Sequence, residues 1–288
     1  MTTQVPITGT ATIPDPIPGP PGPPGPTGPP GPAAVVTPPF GASSLGYWNC
    51  QFNFTPQISD ITFTNDPAFK FAAGLYYQTR PAWANPALAT TVNGMLSLNN
   101  IGPQPAGTSS NGNLATQMQT STAGALGYLV AANGFYCQWR MALSGNDPDH
   151  WEALWMLPQE KVNGALNYVE IDLQEGGFAP GMFSTVIQWI GPWPNYTHTN
   201  HSNSTAPPLD KTLFHDYGVS YSPIRRQIVF YCDGVAVFTV DTSQKDAAGN
   251  VIDDAIRTYN YYMIAGAQSH KTNVPYSMYL ANMQAWIP

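Results

Sequence analysis

Three carboxylates stand within six residues of one apolar segment, Asn167-Tyr-Val-Glu170-Ile-Asp172-Leu-Gln-Glu175, in a chain of 288 residues that has only 17 acids. In an extended strand side chains alternate and rise roughly 3.3 Å per residue, so Glu170 and Asp172 project from one face about 6.6 Å apart. Glu175 is offset by five from Glu170 and would fall on the opposite face. One extra residue, a β-bulge of the kind enriched beside active sites, restores the phase and lines all three acids along one groove. Two carboxyl groups about 5–5.5 Å apart are what glycoside hydrolysis with retention requires: one attacks the sugar, and the other gives and then takes the proton. A third acid between them would hydrogen-bond to its neighbours and raise the pKa of whichever is protonated, because like charges at close range resist joint ionisation. The same spacing fits a solvated strand face, so the neighbouring segments must decide.

The elements that would position these acids can be read on either side. Upstream, His150-Trp-Glu-Ala-Leu-Trp-Met-Leu-Pro158 reads as a strand whose Trp151 and Trp155 would either fill the core or line the groove. Downstream, Ser184-Thr-Val-Ile-Gln188-Trp189 reads as the next strand, and Trp189 and Trp193 flank Gly191-Pro192 where a loop would begin, places suited to stacking a sugar ring. Further strand signals are Met95–Leu98, Gly134–Met141, Gln227–Tyr231 and Val235–Val240, the last two joined by Cys232-Asp-Gly234, a strong hairpin signal.

Taken in this order, the segments resemble glycoside hydrolase family 16, the laminarinase and lichenase group. They show a Trp-rich strand ending in Leu-Pro, then Glu-x-Asp-x-x-Glu, then a Phe-His-x-Tyr strand at Phe214–Tyr217, and a hairpin closing on Asp233-Gly234. The resemblance covers roughly residues 40 to 288 and includes Met278–Ile287 as a last strand. It implies an all-β, two-sheet jelly-roll sandwich of the concanavalin A type. It also implies Glu170 as nucleophile, Asp172 as assisting acid and Glu175 as general acid/base. Trp155, Gln188, Trp189, Trp193 and His215 are the expected substrate-binding residues. The sequence departs from the pattern at Gln188, where the family often has histidine, and at Val169, where it often has glycine or tryptophan. No cofactor is implied. His198 and His201 invite a metal reading, but the Asn/Thr/Ser-rich segment 195–206 offers no third ligand, so no metal is expected.

Composition agrees with a sandwich. Gly 26, Pro 30, 12% aromatic and only 9% charged residues suit short strands joined by turn-rich loops, not long surface helices. A formal charge of -7 with 10 basic residues and no basic run argues against nucleic acid, while a neutral glycan stays compatible. Cys50, Cys137 and Cys232 permit at most one bridge and resemble no metal site or disulfide framework; they read as small buried hydrophobes. Asn-x-Ser/Thr triplets begin at Asn53, Asn195, Asn200 and Asn203 and would matter only in a eukaryotic secretory route.

The amino-terminal region has its own pattern. From Gly19 five triplets keep glycine at every third place, the collagen register, in which only glycine fits the axis of three wound polyproline helices. Five triplets span about 45 Å. They would make either a trimeric stalk or a stiff single-chain spacer, and the strict register favours the stalk. The expected organisation is an anchoring segment over 1–18, a collagen-like repeat over 19–33 and the sandwich over 34–288. Residues 1–30 carry no basic and apolar pattern of a signal peptide, and no run of 18 apolar residues suggests a membrane span. A glycan-directed domain on such an arm is expected on a bacteriophage virion, released by lysis. Residues 1–40 would anchor it to other virion proteins, as a homotrimer. Beside an endo-β-glycosidase stand a lectin-like adhesin and a capsid or tail decoration protein.

Overall fold

A computed structural model describes residues 36–54, 71, 85–105, 110–116, 129–158, 167–191, 195–205, 208–246, 248–270 and 274–288. The chain divides into two compact units, Met1–Val36 and Thr37–Pro288. The anchoring segment and collagen-like repeat lie outside the described residues, as does Trp193.

The second unit is the expected two-sheet sandwich, and all of its strand pairs are antiparallel. The sheet that carries the acids has the order β10 (Thr197–Ser204), β9 (Phe183–Ile190), β8 (Asn167–Glu175), β7 (His150–Pro158), β14 (Asn260–Ser269), β4 (Gly112–Ala115), with β5 (Leu129–Val130) also on β14. The companion sheet runs β13 (Val235–Asp241), β12 (Gln227–Cys232), β11 (His215–Ser222), β6 (Phe135–Leu143), β15 (Tyr276–Ile287), β3 (Met95–Asn100), β2 (Ala89–Val92), with β1 (Asn49–Phe54) also on β15. Two short helices, α1 (Phe40–Ser43) and α2 (Ile252–Arg257), complete the described elements together with two 3-10 turns. None is long and apolar enough to cross a membrane.

Strand pattern explains why two sheets stack. In β11, Tyr217, Val219 and Tyr221 face inward opposite Trp139, Cys137 and Phe135 of β6, and all six join one core with Leu154, Met156, Val169, Ile171 and Leu173 of the acid-bearing sheet. The acid-bearing sheet is apolar on its other face as well. Ala153, Trp155, Leu157, Tyr168, Tyr262 and Ile264 form a second buried cluster there, so β7 is buried along almost its whole length. That explains the near-continuous hydrophobic run of His150–Pro158, which a one-sided strand would not show.

Turn chemistry sets the hairpins. Asp233 and Gly234 take φ of 49° and 78° between β12 and β13, as a two-residue turn with positive φ at both positions requires. Asn93 and Gly94 do the same between β2 and β3. The three cysteines are free; Cys137 is buried, while Cys50 and Cys232 are half-buried.

Candidate active site

The register of β7 on β8 decides where the acids point. Ala153 faces Glu175, Leu154 faces Gln174, Trp155 faces Asp172 and Met156 faces Ile171, with a shift between Leu154 and Trp155. Leu173 is therefore the extra residue of a bulge between Asp172 and Glu175. Leu173 lies in the inter-sheet core, and Gln174 next to it is fully buried opposite Leu154, also of that core. Two successive residues turn inward, and Glu175 returns to the face of Ala153 and Trp155. Glu170, Asp172 and Glu175 thus share one face, the one lined by the second aromatic cluster.

Each acid has a distinct setting. Glu170 is half-buried and its Oε2 accepts a 2.7 Å hydrogen bond from Trp189 Nε1. Asp172 is 4% exposed, and burial, then the nearby charges of Glu170 and Glu175, hold its carboxyl well above the usual range. Its Oδ2 has no hydrogen-bond partner among the described residues, a state that protonation makes tolerable. Burial also raises Glu175, while the Thr185 hydroxyl, the His270 ring and the Trp151 indole beside it pull it partly back. A half-buried acid with a firm donor thus stands in line with two acids biased to hold protons, the division of roles that acid/base chemistry between carboxyls needs.

Aromatic rings surround this row. Trp155 pairs with Asp172 across the strands and is 8% exposed, so it packs under the acids more than it lines an open groove. Trp189, opposite Tyr168, has ring neighbours in Tyr168, Tyr196 and His198 at centroid distances of 6.4, 4.8 and 5.1 Å. Trp151 stacks on His270 at 4.7 Å with 4° between planes. His270 Nε2 contacts the Gly176 carbonyl at 2.6 Å, next to Glu175. Nothing in the sequence around Ser269-His270 marks this histidine as part of a site.

Two expected binding residues lie elsewhere. Gln188 pairs with Val169, a core residue, and is fully buried with Nε2 donating to Asn167 Oδ1 at 3.3 Å. Strand alternation turns it away from the acids and presents Thr185, Ile187 and Trp189 instead. His215 belongs to β11 of the companion sheet, where Nδ1 meets Asp233 Oδ2 at 2.7 Å and Nε2 meets the Asp210 carbonyl at 3.1 Å. It fastens a hairpin of the other sheet, not the groove. His215, Cys232 and Asp233 bring one ligand atom each within 4.8 Å of one another, but both ring nitrogens of His215 are already engaged.

No protein-family model matches the chain, and no curated protein matches it. Solved structures do. An endo-β-galactosidase from Clostridium perfringens that releases GlcNAcα1-4Gal is 15% identical with a TM-score of 0.55, covering 84% of this chain and 63% of its own. A glycoside hydrolase family 16 endo-glucanase from Bacteroides ovatus is 14% identical with a TM-score of 0.53, covering 81% and 99%. A structure from work on endo-acting O-glycanases that gut microbiota use to initiate mucin breakdown is 17% identical with a TM-score of 0.54, covering 83% and 99%. The fold is that of the family 16 jelly rolls.

Proposed function

We propose that the sandwich is a retaining endo-acting glycosidase for a β-linked polysaccharide, with Glu170 as nucleophile, Glu175 as general acid/base and Asp172 as the acid that tunes them. The observation that carries this reading is the Leu173 bulge, which aligns the three acids on one aromatic face. Glu170, held by Trp189, would attack the anomeric carbon as Glu175 protonates the departing sugar oxygen; Glu175 would then take a proton from the water that releases the glycosyl-enzyme. Asp172, biased towards its protonated form beside them, would pass its hydrogen bond between the two as their charges change.

The retention of a buried Asp172 between two half-buried glutamates favours turnover over a lectin, because a binding groove can hold hydroxyls with amides and alcohols alone. The fold's neighbours named above include proteins described as acting on glucans, on galactosides and on mucin O-glycans, so the test is a panel. The full-length protein is incubated with β-1,3-glucan, mixed-linkage glucan, galactan and mucin O-glycans. New reducing ends are expected on at least one, with the first-formed product retaining its anomeric configuration by proton NMR. Inversion, or binding without any new reducing end, refutes the reading; the second outcome leaves the lectin.

The proposal extends to the arm. The glycine register from Gly19 to Gly31 supports a homotrimer, and the Val5–Ile13 lead supports docking of residues 1–40 onto a virion protein. Loss of particle binding on deletion of residues 1–40 is the expected result.

A further inference from the structure

Glu152 is a carboxylate in the wrong place by ordinary rules. It lies on the core side of β7, between residues whose neighbours Leu154 and Met156 are wholly apolar, and is 1% exposed. A buried ion is expensive, and a buried pair is often no more stable than two apolar residues of the same size. Its partners show what the charge does there. Oε1 accepts from Lys211 Nζ at 2.8 Å and from Gln174 Nε2 at 2.8 Å. The Glu152 carbonyl accepts from the Gly176 amide at 2.9 Å. Gln174 Oε1 in turn accepts from the Phe183 amide at 3.2 Å.

One residue therefore grips both chain neighbours of Glu175. Gln174 is the second inward residue of the bulge, and Gly176 is the first residue of the following turn. The grip is also tight: a Cβ on Gly176 would fall 1.9 Å from Glu152 Oε2 and 2.6 Å from the His150 carbonyl. Lys211 ties the assembly to the segment between β10 and β11.

We propose that Glu152, Gln174 and Lys211 are positioning residues that fix the angle at which Glu175 delivers its proton. This rests on the reading of Glu175 as the general acid. A proton donor works only within about 3 Å and near the right direction, so its support matters most when the leaving group needs a proton. The clamp should therefore be selective for leaving group in a way that a merely structural network is not.

The experiment compares the full-length parent with Gln174→Leu and with the double variant Glu152→Leu/Lys211→Met, which removes the ion pair without stranding a charge. A buried ion pair replaced by apolar residues of similar size is often neutral or stabilising, and thermal melts establish that each variant is folded. Values of kcat/KM are measured on the glycan that the parent cleaves and on a 2,4-dinitrophenyl β-glycoside of the same sugar, whose phenolate leaves unprotonated. The expected loss is on the order of 10²-fold on the glycan, within the range of general acid catalysis, and under about threefold on the aryl glycoside. Equal losses on both substrates, or no loss on either, overturn the clamp while leaving the glycosidase standing. A parent silent on both refutes the reading beneath it, and the clamp with it.

Discussion

Gly176→Ala adds one methyl group to the residue after Glu175, and the structure fixes what that group meets. The new Cβ would lie 1.9 Å from Glu152 Oε2, 2.4 Å from its Cδ and 2.6 Å from the His150 carbonyl oxygen. Real contacts of this kind need roughly 3.4 Å, so something must move by more than about 1 Å. Glu152 cannot swing aside cheaply, because Lys211 and Gln174 hold its Oε1 and the core surrounds it. The His150 oxygen is backbone. The strain passes to the turn, and so to Glu175. Overpacking of this kind costs about 1–3 kcal/mol, and at about 2–4 °C per kcal/mol the midpoint of unfolding should fall by roughly 2–12 °C. A displacement of about 1 Å at a catalytic group costs on the order of 10²-fold in rate. Gly145→Ala is the control, since its Cβ would sit 3.7 Å from His150 Cε1, an ordinary contact. The assay is a thermal melt together with kcat/KM on the cleaved glycan. A Gly176→Ala protein with the melting temperature and activity of the Gly145→Ala control would show that the turn after Glu175 is soft, and the account of how that residue is held would be wrong.

Glu170→Gln should lower kcat by at least about 10³-fold with the melting temperature kept, because covalent catalysis needs an ionised carboxylate there; an unchanged rate removes Glu170 from the chemistry. Trp189→Phe keeps the ring and deletes the donor to Glu170 Oε2, so kcat/KM on the cleaved glycan should fall on the order of tenfold with the melting temperature kept, the scale of one hydrogen bond to a charged group. An unchanged kcat/KM would leave Trp189 as a stacking surface only. Asp172→Asn tests a linkage whose sign is fixed. Burial holds the folded carboxyl above its unfolded value, so its contribution to stability is full below about pH 4 and is lost as pH rises through the raised value. The asparagine variant should match the parent near pH 4 and melt higher than it at pH 8, while being less active; a gap that is constant with pH contradicts the burial argument. Sedimentation of the full chain should give three times its 31.1 kDa mass, and a monomer would leave the collagen-like repeat as a spacer.

What the sequence revealed and what it hid follow one physical division. The acid row was legible because an offset of five cannot share a strand face without an added residue, and Leu173 is that residue. The sandwich was legible from strand signals and turn residues such as Asp233-Gly234, whose conformations are local. Facts that depend on pairing were not. Gln188 and Trp189 are adjacent, and nothing in Ser184–Ile190 says which of them faces the acids; only the pairing of Tyr168 with Trp189 does. His215 lies in a strand next to β6 and β12, so its distance from the groove is a property of sheet order. Glu152 left a signal that could have been used. An acid inside His150–Pro158, flanked by tryptophans and leucines, must be paired if that strand is buried.

The acid-bearing sheet places its costs on one strand pair. Along β7 and β8 it holds Asp172 with an oxygen that has no partner among the described residues, a raised Glu175 and a buried Glu152–Lys211 pair, while the companion sheet meets it with Tyr217, Val219, Tyr221, Trp139 and Phe135 in an apolar core. The apolar contact that β7 makes on both faces offsets the cost of this polar burial. The bulge joins the two conditions. Leu173 adds an inward hydrophobic residue to the core at the same step that brings Gln174 to Glu152 and Glu175 back to the groove. A regular strand would keep most of the apolar contact and lose both the alignment of the acids and the Gln174–Glu152 hydrogen bond, so the irregularity is the element on which the proposed chemistry depends.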